Sequence, residues 1–167
     1  TSQDLDELFQ GAMFMTEQHA GSDVGSIDTI AENIDGEWYL TGDKWFCSNP
    51  DADLAMVLAR YDKNTKGTRG LSLFLLPKKL ENGQPNNYEI IRLKDKLGGR
   101  SFASGEIRLN KAFAYIVGEK TEGFKQMTDM INMSRLSNGV RASGMMQRCF
   151  QESLFIAKTR SAFNEKL

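Results

Sequence analysis

The chain has 167 residues, 40% hydrophobic, 10% aromatic and 26% charged, with a formal net charge of −1. Such hydrophobicity with so small a charge excludes intrinsic disorder, and the length suffices for one ordinary domain with a core of its own. No global basic excess exists to coat a nucleic-acid backbone, and no apolar run reaches membrane-spanning length.

The chain begins Thr1-Ser2-Gln3-Asp4-Leu5, with no initiator Met, basic leader or apolar leader, so it reads as a piece of a longer protein. From Gly11 to about Lys120 short apolar or alternating runs are separated by turn signals, the punctuation of a β domain. Ile27–Ile34 alternates, Asp35-Gly36 offers a tight hairpin turn, and Glu37–Leu40 resumes. Thr41-Gly42-Asp43 predicts another turn before Lys44–Ser48. Leu54–Ala59 and Leu71–Leu76 predict buried strands, and Tyr88–Leu93 and Glu106–Leu109 two more. The expectation is a central antiparallel β-barrel or sandwich in an α+β chain. After Gly118 the period changes: Phe124, Met127, Met130-Ile131 and Met133 fall on helical spacing, and apolar residues continue to near Ala162. These helices should begin an α-helical bundle, because an amphipathic segment cannot bury its stripe alone. Charge shifts with the period: residues 1–120 hold 14 Lys+Arg against 18 Asp+Glu, and residues 121–167 hold 7 against 4.

Cys47 and Cys149 form no CxxC pair, and His19 is the single histidine. That set supplies neither a zinc site nor a disulfide framework, so no metal is expected and two free thiols in a reducing cytoplasm are. One histidine also argues against a Ser-His-Asp or Cys-His hydrolase.

Four segments could carry chemistry. In Met13–Ser26 a strand-like Met13-Phe14-Met15 enters a polar stretch with Thr16, Gly21, Ser22 and Ser26, whose small residues let backbone N–H groups approach an anion. An ordinary surface turn has the same composition, and neither phosphate-loop nor dinucleotide spacing is present. In Thr41–Asn49 the adjacent Trp45 and Phe46 with a following Ser48 could stack a planar ring and hydrogen-bond its edge, or could form a half-buried aromatic strand. Lys94–Ser101 is a basic, glycine-bearing loop, and Asn132-Met133-Ser134-Arg135 interrupts a methionine-rich helix.

In this order the four segments resemble the acyl-CoA dehydrogenase family of flavoproteins. Thr16–Asp23 is similar to its Thr-Glu-Pro-x-Ala-Gly-Ser-Asp stretch, with Gln18 in place of Pro. Thr41–Asn49 is similar to its Asn-Gly-x-Lys-x-Trp-Ile-Thr-Asn strand, and Gly98–Ser101 to its Gly-x-Arg-Ser loop. Gly118–Phe124 and the Arg-ending Asn132–Arg135 resemble the opening of its C-terminal helical domain. Lys44-Trp45-Phe46 with Ser48, and Leu93–Gly98, look most like the AidB-like branch.

The resemblance implies that residues 1–10 end an N-terminal helical region or linker. Residues 11–120 would form the middle β-domain, and residues 121–167 the first helices of a truncated C-terminal domain. It implies FAD as cofactor, acyl-CoA as substrate, hydride transfer to flavin N5, and a homotetramer for the intact protein. Carried over by position, Met13, Phe14, Met15, Thr16, Gly21 and Ser22 would line the flavin and its pyrophosphate, with Phe46, Cys47 and Ser48 as the second flavin strand. Ser22, Asn132 and Arg135 would meet the substrate. The family's base is a bundle carboxylate outside this chain, so no catalytic residue is expected in it and the fragment alone should be inactive. The resemblance leaves the electron acceptor open. The alternative is an AidB-like flavoprotein that binds DNA and protects it from alkylation, and a third reading is a β-domain kept as a binding module.

Overall fold

The computed structural model describes Asp4 and residues 7–166. They form two compact units, the first reaching Met127 and the second starting at Thr128.

In the first unit the alternating and apolar runs become seven strands: β1 (Gly11–Phe14), β2 (Ile30–Ile34), β3 (Glu37–Ser48), β4 (Leu54–Arg60), β5 (Leu71–Pro77), β6 (Tyr88–Leu93) and β7 (Ser104–Val117). Their order is β1-β4-β2-β3-β7-β5, with β6 on β7 and β5 paired to β4 as well as to β7. The sheet is mixed rather than purely antiparallel. β1 runs parallel to β4, with Gly11 opposite Leu54 and Phe14 opposite Val57, and Ile30 pairs parallel with Arg60. A four-residue run with no turn signal of its own carries no orientation in its sequence, which is why this pairing was not foreseen.

The Asp35-Gly36 hairpin forms as expected, with both residues at positive φ, 53° and 91°. Two expectations along the same stretch are corrected. Residues 27–29 precede β2 rather than belonging to it, because the Asp28 and Thr29 N–H groups are taken by the Glu17 carboxylate instead of a neighbouring strand. The expected turn at Thr41-Gly42-Asp43 is an irregularity inside one twelve-residue strand. Gly42 sits there at φ 147°, and a Cβ on it would lie 2.8 Å from Thr29 Cα. Only glycine fits that approach.

Inward residues of the strands form one core, with Phe14, Leu40, Cys47, Val57, Phe74 and Ile107 among its most enclosed side chains. The core sits beneath the ends of β1 and β3, which carry the candidate site.

Instead of several helices, one helix, α1 (Gly123–Thr159), follows, and residues Ser161–Ala162 and Glu165–Lys166 close a small hairpin. Gly123 and Met127, in its first two turns, are buried within the first unit. In the second unit Met133, Leu136, Val140, Met146 and Phe150 are exposed. Among the described residues no helix is long and apolar enough to cross a membrane.

Candidate functional site

The site is assembled where the loop leaving β1 meets the second half of β3. A register shift between Lys44 and Cys47 marks a bulge in β3 against β7. One extra residue re-aims the side chains around it: Lys44 and Cys47 point inward, while Phe46 is 56% exposed and Trp45 lies half-buried beside it. The two rings meet edge to face with centroids 6.4 Å apart. Beyond the bulge strand alternation resumes and leaves Ser48 on the surface.

The β1 loop docks on this strand through its backbone. Trp45 N–H donates to the Thr16 carbonyl at 2.8 Å, and Lys44 Nζ donates to the Met15 carbonyl at 3.3 Å. The loop then folds on itself, with Glu17 and Ala20 exchanging backbone hydrogen bonds, and Gly21 comes back to Thr16, close enough that a Cβ on it would sit 3.9 Å from Thr16 Cγ2. Met13, Met15, Thr16, Gly21, Phe46 and Ser48 are thereby brought to one region. Among the described residues neither the Thr16 nor the Ser48 hydroxyl is engaged in a hydrogen bond. Ser22 is exposed on the same loop, which continues through Asp23, bonded to the Ser26 hydroxyl. Arg60 then staples the segment, donating from Nη2 to the Gly25 carbonyl at 2.6 Å and from Nε to the Ile27 carbonyl at 3.3 Å.

Phe14 and Cys47 face the other way, into the core. Burial pushes the Cys47 thiol up to about 12, so it is a neutral packing group, and neither side chain is open to the site. Asn132 and Arg135 lie exposed on α1 in the second unit, where Arg135 Nη1 meets Asn132 Oδ1 at 3.4 Å, one helical turn apart.

Two ion-pair arrangements support the region, and sequence reasoning missed both. Beneath the loop Lys44, fully enclosed, donates to Glu17 Oε1 at 2.8 Å, and the same carboxylate accepts from the Asp28 and Thr29 N–H groups and the Thr29 hydroxyl. Burial pushes the Glu17 carboxyl up, but the Lys44 charge and these donors together hold it below the usual carboxylate range. Beside the rings, Lys94 Nζ stands 3.1 Å from the Trp45 ring centroid and 4.5 Å from that of Phe46, while also meeting Glu106 Oε1 at 2.7 Å. Arg92 reaches the same Glu106 oxygen at 2.8 Å, and its hydrogen bond is the main reason the Glu106 carboxyl lies low. Lys94 is the first residue after β6, forty-nine positions from Trp45, and nothing in the sequence ties the two together.

The model of the acyl-CoA dehydrogenase middle domain matches residues 12–112, and that of the acyl-CoA dehydrogenase C-terminal domain matches residues 121–167. This chain belongs to the acyl-CoA dehydrogenase family. Among its relatives are acyl-CoA dehydrogenase family member 11 of Caenorhabditis elegans, 38% identical over 98% of this chain, and the putative acyl-CoA dehydrogenase AidB of Escherichia coli, 40% identical over 93% of it. The chain spans 28% of the length of each. The crystal structure of Caenorhabditis elegans ACDH-11 in complex with C11-CoA superposes with a TM-score of 0.85 at 37% identity, over 99% of this chain and 29% of that one. A glutaryl-coenzyme A dehydrogenase in complex with glutaryl-CoA superposes at 0.78, with 29% identity, over 95% of this chain and 40% of that one. The motif order in the sequence had already pointed to this family, AidB-like relatives included.

Proposed function

We propose that this chain is the cofactor-holding part of an FAD-dependent acyl-CoA dehydrogenase that removes hydrogen across the α,β-bond of acyl-CoA thioesters. The observation that carries the reading is the convergence of the Thr16 loop and the Phe46–Ser48 strand end, joined by the Trp45-to-Thr16 hydrogen bond. The exposed residues fit a flavin: an aromatic ring to cover one face, and two hydroxyls free to meet polar edges. Bound there, FAD would supply the redox chemistry of the dehydrogenation.

The chain's own residues bind and orient. Phe46 and the half-buried methionines Met13 and Met15 exclude water from one side of a planar ligand. Thr16 and Ser48 offer hydroxyls to its edge. Gly21 and Ser22, with backbone free of bulky side chains, face its anionic portion or the thioester arm. Phe14 and Cys47 contribute backbone and packing alone. Asn132 and Arg135 are assigned to the acyl-CoA side, residues 11–120 to the cofactor domain, and residues 121–167 to the opening of the bundle that bears the base. We assign the intact protein a homotetramer and, from the two unpaired thiols of this chain, a cytoplasmic location.

The test uses the intact protein. It should purify yellow, and its flavin should bleach when an acyl-CoA is added without oxygen. Flavin that stays oxidised across a panel of acyl-CoAs, together with salt-sensitive retention on DNA, moves the reading to the DNA-protecting alternative. A colourless protein that FAD cannot reconstitute overturns both.

A further inference from the structure

At the opposite end of β3 the solvent face of the sheet carries three aromatic rings. Tyr39 on β3 stands opposite Phe113 on β7, and Tyr115 follows two residues later on the same face. Phe113 meets Tyr39 edge to face at 6.0 Å and Tyr115 at 4.8 Å. With Leu80 and Asn82, from the turn after β5, they line an open cleft of about 410 Å³.

Two carboxylates complete it. Tyr39 Oη donates to Glu37 Oε2 at 2.6 Å, and Tyr115 Oη donates to Glu81 Oε1 at 2.9 Å. Each carboxylate is thus oriented at the rim by a tyrosine, and each keeps lone pairs to spare. Among the described residues no Lys, Arg or His pairs with Glu37 or Glu81, and Asp35 adds a further negative charge near Tyr39. This contrasts with the aromatic pair Trp45 and Phe46, which has Lys94 seated on it.

The platform is held in place. Asn86 bridges it from below, accepting from the Phe113 N–H at 2.9 Å and donating to the Phe113 carbonyl at 2.8 Å. Tyr39 and Phe46 are seven residues apart along β3, about 23 Å at the usual rise per residue. The cleft is therefore separate from the candidate flavin site.

Ring faces present negative quadrupoles, and an unpaired carboxylate beside them adds full charge, a combination that favours organic cations over neutral or anionic ligands of the same shape. We propose that this cleft binds an organic cation, a guanidinium or alkylammonium group whose charged head meets Glu37 and Glu81 while its stem lies against Tyr39, Phe113 and Tyr115.

The test is a titration of the intact protein carrying 3-fluorotyrosine, followed by the ¹⁹F signals of positions 39 and 115. The ligands are N-acetyl-arginine methylamide and tetramethylammonium, with neutral N-acetyl-citrulline methylamide as the isostere of the first. The proposal expects saturable shifts at both positions with the cations and binding at least tenfold weaker with citrulline. It also expects the Glu37→Gln/Glu81→Gln variant to bind the cations at least fivefold more weakly while its circular dichroism is unchanged, since both side chains are exposed. Equal response to the neutral isostere, cation binding unaffected in the double variant, or no response to either cation overturns it. A short arginine peptide binding tenfold tighter than the single-residue amide assigns the site to a protein side chain. Equal affinity assigns it to a free metabolite.

Discussion

Lys44 and Glu17 form a closed ion pair, Nζ to Oε1 at 2.8 Å, with almost no solvent on either side chain. It ties the middle of β3 to the loop that carries Thr16, Gly21 and Ser22, so the position of the candidate site depends on a contact beneath it. Breaking a buried pair from one side typically costs about 3–5 kcal/mol, because a charge is left without its partner. Glu17→Ala should reach that range, since it orphans Lys44 and also the Asp28 and Thr29 N–H groups. Lys44→Met should cost less, because Glu17 keeps three donors. Urea denaturation of both variants checks the order.

The same pair predicts an acid limb. The Glu17 carboxyl titrates below its ordinary value of 4.5 in the folded chain. A depressed carboxyl contributes stability that is fully present above its unfolded pKa and is lost as pH falls through the folded one. Stability should therefore decline below about pH 4.5, and the decline should be shallower in Glu17→Gln/Lys44→Met. Melting temperatures between pH 3 and 6 provide the measurement, and identical slopes would remove Glu17 from the account.

Cys47 should be inert. Its thiol is enclosed and pushed up to about 12, so little thiolate exists at pH 9. Alkylation with iodoacetamide followed by peptide mass spectrometry should leave Cys47 unmodified in the native protein at both pH 7 and pH 9, and label it after denaturation. Native labelling at pH 9 would contradict its burial.

Much of this was legible in the sequence, for reasons that differ by element. The Asp35-Gly36 turn, the apolar runs of β4 and β5 and the change to helical period after Gly118 are local signals, written within a few residues of where they act. The order of four motifs identified the family. The rest depends on distant partners. Gly42 reads as a turn residue until Thr29 is seen against it, and nothing near Lys44 in the chain announces the Glu17 carboxylate beneath it. Phe14 and Cys47 share motifs with ring-lining candidates, yet β alternation and the bulge at Trp45–Phe46 turn their side chains into the core. A bulge adds one residue to the count, so period-two reasoning assigns the wrong face from that point onward.

Lys94 is the strongest case of a contact the sequence hid, and it separates two roles for Trp45. With its ammonium 3.1 Å from the ring centroid and its charge shared with Glu106, Lys94 holds Trp45 in one orientation beside Phe46. Lys94→Met keeps the stem and removes the charge. The lost cation–π attraction is about 0.5–2 kcal/mol, and Arg92 still engages Glu106. In a Trp38→Phe background, where Trp45 is the remaining tryptophan of this segment, the variant should shift Trp45 emission. It should also weaken FAD retention less than Thr16→Ala/Ser48→Ala does. On the proposed assignment that double variant would remove two hydrogen bonds to the cofactor of about 1 kcal/mol each, roughly 30-fold in Kd together. FAD affinity measured by flavin fluorescence on the intact protein ranks the two. Lys94→Met losing more FAD than the hydroxyl pair would mean that ring orientation, rather than the two hydroxyls, dominates the site.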